Sequence, residues 1–217
     1  MRLVLLLLLL AGCGGAVAER HPRASVQPEL VTEIDGELAA IRADPGESVG
    51  FGEKSYVPYE PNVAHALITV PDAAVTARLR DEIEGAGDPV YALALLHVLG
   101  RRTDAGVDAV LLQTLEDPRL AATSAYLLGR PGFKPYPARE RDDAAIEAAL
   151  RRHLHDEGSF EDPFYRRSFR TQDFVIAALV RLLGPRRFDY ERPELADDIG
   201  YDLPDLGPDR AGLLGQL

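Results

Sequence analysis

The sequence predicts an all-α fold, an irregular α-solenoid of antiparallel helix pairs with loop insertions. Three observations carry that expectation. Two segments in the middle of the chain match each other without a gap. Apolar residues on either side of them recur at i, i+3 and i+4. Ala and Leu are abundant while Trp is absent, a composition that suits helices.

The matching segments run from Asp88-Pro89 to Leu99-Gly100-Arg101 and from Asp117-Pro118 to Leu128-Gly129-Arg130, 29 residues apart. Each feature has a physical reason. Asp accepts a hydrogen bond from the free backbone N–H groups at a helix start. Pro fits the first helical position, where no N–H is needed. Gly takes a left-handed conformation that closes a helix. Ala92 and Ala121 keep the surface thin where a neighbouring helix comes close. His97 occupies the slot of Tyr126, so it is expected to pack. Between the two segments, Thr103 to Glu116 carries Val107, Val110, Leu111 and Leu115, the stripe of an amphipathic helix. The unit is helix, short turn, helix.

This unit resembles the HEAT repeats, in particular the short HEAT-like type first named from phycobilin lyases, in which Asp-Pro, a later Ala and a closing Leu-Gly mark the first helix of each pair. The resemblance covers one full repeat and the first helix of the next. It implies a HEAT-like stack that buries a core only where neighbours cover each face.

The remaining elements follow in order. Gln27 to Ala43, with Leu30, Ile34, Leu38 and Ile41, predicts an N-terminal helix, weakened at Gly36. Asp44 to Val70 is Gly- and Pro-rich and irregular. Pro71 to Glu84 places Val75, Leu79 and Ile83 in helical register. Arg141 to Asp156 has Ile146, Ala149, Leu150, His153 and Leu154 on one face. Thr171 to Leu183, ending at Gly184-Pro185, predicts a third first-helix. Two insertions break the period, Pro131 to Pro137 and Glu157 to Arg170. The domains expected are therefore a helical repeat domain over 27–186 and an acidic, Pro- and Gly-rich C-terminal segment over 187–217.

The N-terminus is a separate problem. Arg2 precedes the apolar run Leu3 to Leu10, which is far below the roughly 20 residues that span a bilayer and so predicts a signal peptide. Leu10-Ala11-Gly12-Cys13 then resembles the lipobox of bacterial lipoproteins. That resemblance implies removal of residues 1–12, a diacylglycerol-modified Cys13, and a flexible stalk over 13–26. Cys13 is the sole cysteine, and a lone thiol in an oxidising compartment has no disulfide partner. Ordinary secretion, with cleavage after Ala16-Val17-Ala18, is the alternative. Gly14 stands where retention in an inner membrane usually wants Asp, so the resemblance implies the bacterial cell envelope, and the outer membrane if the source is Gram-negative.

Charge narrows the partners. The chain carries 24 basic and 35 acidic residues, a net −11, and is one unit more negative without Arg2. That balance argues against nucleic acid and against a polybasic membrane patch.

No motif names a reaction. Gly46 to Ser55 is like a phosphate-binding loop, but Glu53 separates the last Gly from Lys54, and Pro58 blocks the helix that should follow. His153 and His155 are two apart, a spacing that points them away from each other on a helix. His153 is expected in the core and His155 in solvent. Asp197, Asp198, Asp202, Asp205 and Asp209 lack the spacing of a calcium loop and read as a solvated acidic tail. No cofactor and no metal are expected. Glu161 and Asp162 offer a carboxylate pair for glycoside hydrolysis, but Asp162-Pro163 reads equally well as a turn or a helix start.

The best candidate for interaction is the aromatic and Arg cluster of the second insertion, with Phe164, Tyr165, Arg166, Arg167 and Arg170 as binding anchors. The competing expectation is that Phe160, Phe164 and Phe169 simply plug the loop onto the helices. The function expected is a membrane-tethered, non-catalytic module that binds an unknown protein or serves as a scaffold. The alternatives are an envelope hydrolase using acidic residues of the insert loops, and a structural lipoprotein without a dedicated ligand.

Overall fold

The structure, a computed structural model, describes residues 28–45, 51–52, 55–58, 64–130, 132, 136–162, 167–192 and 206–217; the side chains of 51–58, 160–162 and 167 are outside that description. Cys13, the signal segment and the stalk lie outside the described residues.

The protein is all-α in its body, with two short hairpins added. Helix α1 spans Pro28–Ala43. Strands β1 (Phe51–Gly52) and β2 (Ser55–Pro58) pair antiparallel. Then follow α2 (His65–Thr69), α3 (Ala73–Gly85), α4 (Pro89–Gly100), α5 (Gly106–Thr114), α6 (Ala121–Leu128) and α7 (Asp143–Arg152). A second antiparallel hairpin, β3 (Ser159–Asp162) with β4 (Arg167–Arg170), leads directly into α8 (Thr171–Leu183). A 3₁₀ turn at Pro185–Arg187 and a last helix α9 (Asp209–Gln216) complete the described chain.

The helix starts follow the sequence logic. Asp72, Asp88 and Asp142 each accept a hydrogen bond from a backbone N–H of the first turn they precede, at 2.8, 2.9 and 3.0 Å. The two repeated segments open alike. The Val90 N–H donates to Asp88 and the Arg119 N–H donates to Asp117, both at 2.9 Å. The first α-type bond then runs from the Ala92 N–H to the Asp88 carbonyl and from the Ala121 N–H to the Asp117 carbonyl. Regular helix begins later in the second segment because the Leu120 N–H also bonds to the Asp117 carbonyl, which tightens the first turn.

Helices α4, α6 and α8 lie side by side, and α3, α5 and α7 pack against them in turn. Helices α1 and α2 cover α4 from another side, and α9 packs on α8. As a result Tyr91 to Gly100, all of α6, and Thr171 to Arg181 are buried. A helix that is apolar all round belongs in a core. The outer helices α3, α5 and α7 bury single stripes, such as Val75, Leu79 and Ile83 on α3.

The Leu-Gly ends of the repeated segments depart from expectation. Gly100 is the last residue of α4, and Gly129 has φ −78° and ψ −5°, so neither is left-handed. Of the three helix-closing glycines only Gly184 has a positive φ, 97°. The first two are needed for proximity. A Cβ on Gly100 would lie 2.8 Å from a methyl of Leu127, and one on Gly129 would lie 2.8 Å from Cα of Ala178. Each glycine lets the next core helix approach.

Other expectations need correction. The irregular stretch Asp44 to Val70 contains α2. Its N–H groups at Ala66 and Leu67 are capped from α1 by Glu37, both at 2.8 Å. The C-terminal segment contains α9, and Asp209 is buried, not solvated. It accepts from the N–H groups of Glu191 and Arg192 and pairs with Arg192 at 2.7 Å. His153 is no core residue: it caps the C-terminus of α7 with Nε2 3.5 Å from Glu116. His155 is exposed, as expected. Gly52 pairs with Ser55 in a hairpin, so a strand stands where a phosphate-binding loop would begin its helix.

Candidate functional site

The second insertion is a hairpin, not a loose loop. Its register is continuous, from Ser159 opposite Arg170 to Asp162 opposite Arg167. The base is pinned to the helices. The Thr171 N–H donates to the Gly158 carbonyl at 2.9 Å, and Gln172 Nε2 donates to the Leu154 carbonyl at 2.8 Å. Strand alternation then sorts the side chains. Phe169 is buried and meets Phe174 of α8 edge-on, with ring centroids 5.8 Å apart. Ser168 and Arg170, on either side of it, are exposed. Of the five expected anchors, Arg167 opens β4 and Arg170 closes it, while Phe164, Tyr165 and Arg166 lie outside the described residues. The competing expectation holds for Phe169, which plugs the hairpin onto the body. Glu161 and Asp162 both lie in β3, so Asp162 is not a helix start.

A groove of about 610 Å³ lies between α5 and the start of α7, and its lining includes Leu112, Ile146, Glu140, Arg141, Asp142 and Asp143. Its carboxylates are largely engaged. Asp142 caps α7, Asp143 pairs with Arg141 at 2.6 Å, and Asp108 pairs with the buried Arg139 side chain at 2.6 Å. Among the described residues no group of His, Cys, Asp and Glu is placed to hold a metal ion.

No sequence motif marks the most unusual electrostatics. At the C-terminal ends of α4, α6 and α8 a column of polar and aromatic side chains is sealed inside the protein. His97 is packed in the interior, as its slot implied, and meets its counterpart Tyr126 edge-on at 6.3 Å. Tyr136, from the first insertion, crosses Tyr126 at 87° and shares a 2.9 Å hydrogen bond with His97 Nδ1. Arg130 stacks over the Tyr126 ring at 4.2 Å, and Arg181 lies 5.8 Å from the same ring. Tyr126 and His97 are fully buried, and Arg130 is 1% exposed.

Burial, with Arg101 and Arg130 nearby, pushes His97 down to about 3, so its imidazole is neutral. Burial and the adjacent Arg130 push Arg181 down to about 9, although Tyr126 acts the other way. One signal was legible in advance: Arg101 and Arg130 hold the same position after Leu-Gly in both repeated segments, and both are buried.

No helix among the described residues is long and apolar enough to cross a membrane. No family model matches the chain, and neither a curated protein nor a solved structure matches it.

Proposed function

We propose that this chain is an envelope lipoprotein, tethered through an acylated Cys13, whose domain is an irregular HEAT-like α-solenoid acting as a non-catalytic protein-binding or scaffold module. The observation that carries the binding reading is the β3–β4 hairpin. It is pinned at its base, plugged by Phe169, and presents Ser168 and Arg170 to solvent. A stiff projection on a packed body loses little conformational freedom on binding, and inserts can vary without disturbing the core.

The HEAT-like reading draws support from the equivalent caps at Asp88 and Asp117 and from the row α4, α6, α8 backed by α3, α5, α7. It also has a consequence for binding. The row α4, α6, α8 is buried on every side, so the inner surface that an open repeat array offers to partners is filled here. Contact with a partner falls to the inserts. Binding is favoured over hydrolysis because Asp108, Asp142 and Asp143 of the groove serve as a helix cap or in ion pairs, which leaves Glu140 alone there, whereas hydrolysis needs two carboxyl groups free to exchange protons. Two acyl chains on Cys13 hold a protein to a membrane durably, at about 0.8 kcal/mol per buried methylene.

A photo-crosslinking residue at Ser168 tests the binding surface in cells. It should give a discrete adduct, while the same residue at the exposed Val31 of α1 should not. Equal labelling at both positions, or none at Ser168, contradicts the proposal.

A further inference from the structure

The register of the β3–β4 hairpin decides where its backbone groups point. The Thr171 N–H donates to the Gly158 carbonyl at 2.9 Å, and pairing continues without a shift from Ser159 opposite Arg170 to Asp162 opposite Arg167. In an antiparallel ladder, pairs that exchange hydrogen bonds alternate with pairs that do not. Phe160 with Phe169 and Asp162 with Arg167 are therefore the bonded pairs. Ser159 with Arg170 and Glu161 with Ser168 are the others, and their N–H and C=O groups point away from the hairpin. The sheet has two strands, so each strand has an outer edge. Among the described residues no backbone hydrogen bond from outside the hairpin reaches Ser159, Glu161 or Ser168.

The two edges differ in charge. Strand β3 carries Glu161 and Asp162, whereas β4 carries Arg167 and Arg170 and no acidic residue. On β4, Ser168 and Arg170 are exposed, one on either side of the buried Phe169. Arg170 is also the N-cap of α8, so its carbonyl turns into the first turn of that helix. The outer edge of β4 thus offers the N–H and C=O of Ser168 and the N–H of Arg170. Opposite charges facing each other across a ladder favour pairing, and like charges oppose it. Arginines on an edge strand turn away a second copy of the same edge and select a strand that carries carboxylates.

We propose that an extended acidic segment of a partner protein adds to the outer edge of β4 as a third strand, bonded to the main chain of Ser168 and Arg170, with carboxylates opposite the exposed Arg170. This rests on the hairpin as the contact surface and names how the contact is made. In strand addition, main-chain hydrogen bonds supply affinity and alternate side chains supply specificity. The hairpin is already pinned at its base by Thr171 and plugged by Phe169, so the edge is held ready for the incoming strand.

A short fluorescent peptide of alternating Glu and Val, added to the full mature chain, tests the proposal. It should bind saturably and more weakly as salt rises, and a matching Lys-Val peptide should not bind. Amide hydrogen exchange in the wild-type chain should slow at Ser168 and Arg170 when the Glu-Val peptide binds, a readout that does not depend on variant folding. Ser168→Pro removes the outward N–H and leaves the bonded pairs of the hairpin in place. It should weaken binding about tenfold, the worth of one hydrogen bond. Ser168→Ala, which keeps the N–H, should bind more tightly than Ser168→Pro. Protection at Ser159 and Glu161 instead would put the strand on β3 and overturn the proposal. So would binding without protection at Ser168 and Arg170, or no binding at all. A discrete Ser168 adduct in cells alongside any of these results would keep the hairpin as a contact surface and reject strand addition.

Discussion

Gly129 approaches Ala178 so closely that a Cβ on the glycine would lie 2.8 Å from the Ala178 Cα and 3.0 Å from its Cβ. Helices α6 and α8 therefore meet backbone to backbone at this point. The contact is made by main-chain atoms that cannot rotate away. Gly129→Ala should cost about 1–3 kcal/mol through overpacking, read as a lower midpoint in chemical denaturation. Gly100→Ala should cost less, because its nearest obstacle is a methyl of Leu127. Gly36, exposed in α1 with nothing within 4 Å of a Cβ, provides the control. Gly36→Ala should stabilise by about 0.5–1 kcal/mol.

Arg102 predicts a larger loss. One side chain bonds the carbonyls that end α2 and precede α3, together with Thr76 and Asp104. Arg102→Met leaves those acceptors buried without a donor, and breaking such a network costs about 3–5 kcal/mol. Arg102→Lys should recover part of it. Equal denaturation midpoints for wild type and Arg102→Met would mean that the α2 region contributes little to the cooperative fold.

His97 makes stability depend on acid. Its folded pKa, about 3, lies below the ordinary value of 6.5. The unfolded chain takes up a proton that the folded chain refuses, so the contribution is complete above pH 6.5 and is lost as pH falls toward 3. Unfolding free energy should drop by about 2 kcal/mol between pH 7 and pH 5. Asp209 and Asp117, whose carboxyls are held low by Arg192 and Arg119 after burial is offset, act only at more acid pH. His97→Gln should flatten the decline in this window. An unchanged slope in His97→Gln would show that another group is responsible.

The sequence made the elements legible wherever a stripe or a cap was local. The predicted span Thr171 to Leu183 coincides with α8, and Pro28–Ala43 falls one residue inside the span expected for α1. Asp88 and Asp117 play the same role in both segments, as the gapless match implied. The misses are tertiary. Helix α2 is five residues long, and two of its first N–H groups are satisfied by Glu37, 29 and 30 residues away. No local pattern announces it. Asp209 reads as one more acid in an acidic tail until Arg192 folds back onto it. The Gly100 and Gly129 conformations differ from expectation because glycine serves close approach as well as positive φ, and sequence alone does not separate the two. The Arg130–Arg181 cluster joins residues 51 positions apart, a relation that appears only once α6 and α8 are packed together.

The tether is testable by itself. Cells labelled with a fatty-acid analogue should carry label on the wild-type chain and none on Cys13→Ser. A mature chain beginning at Glu19 would instead mean ordinary secretion with cleavage after Ala18.

The second insertion is proposed as a contact surface on a body that stands without it. The most direct measurement is capture of the crosslinked partner by the purified mature chain, compared with Arg166→Ala/Arg167→Ala/Arg170→Ala, alongside the Tm of each. On the proposed reading, basic anchors on a chain of net −11 would steer an acidic partner, so wild-type capture should weaken with salt. The triple variant should lose most of it while its Tm and helical content stay nearly unchanged. A triple variant that unfolds would make the hairpin arginines structural, and one that folds and captures the partner as well as wild type would contradict the claim.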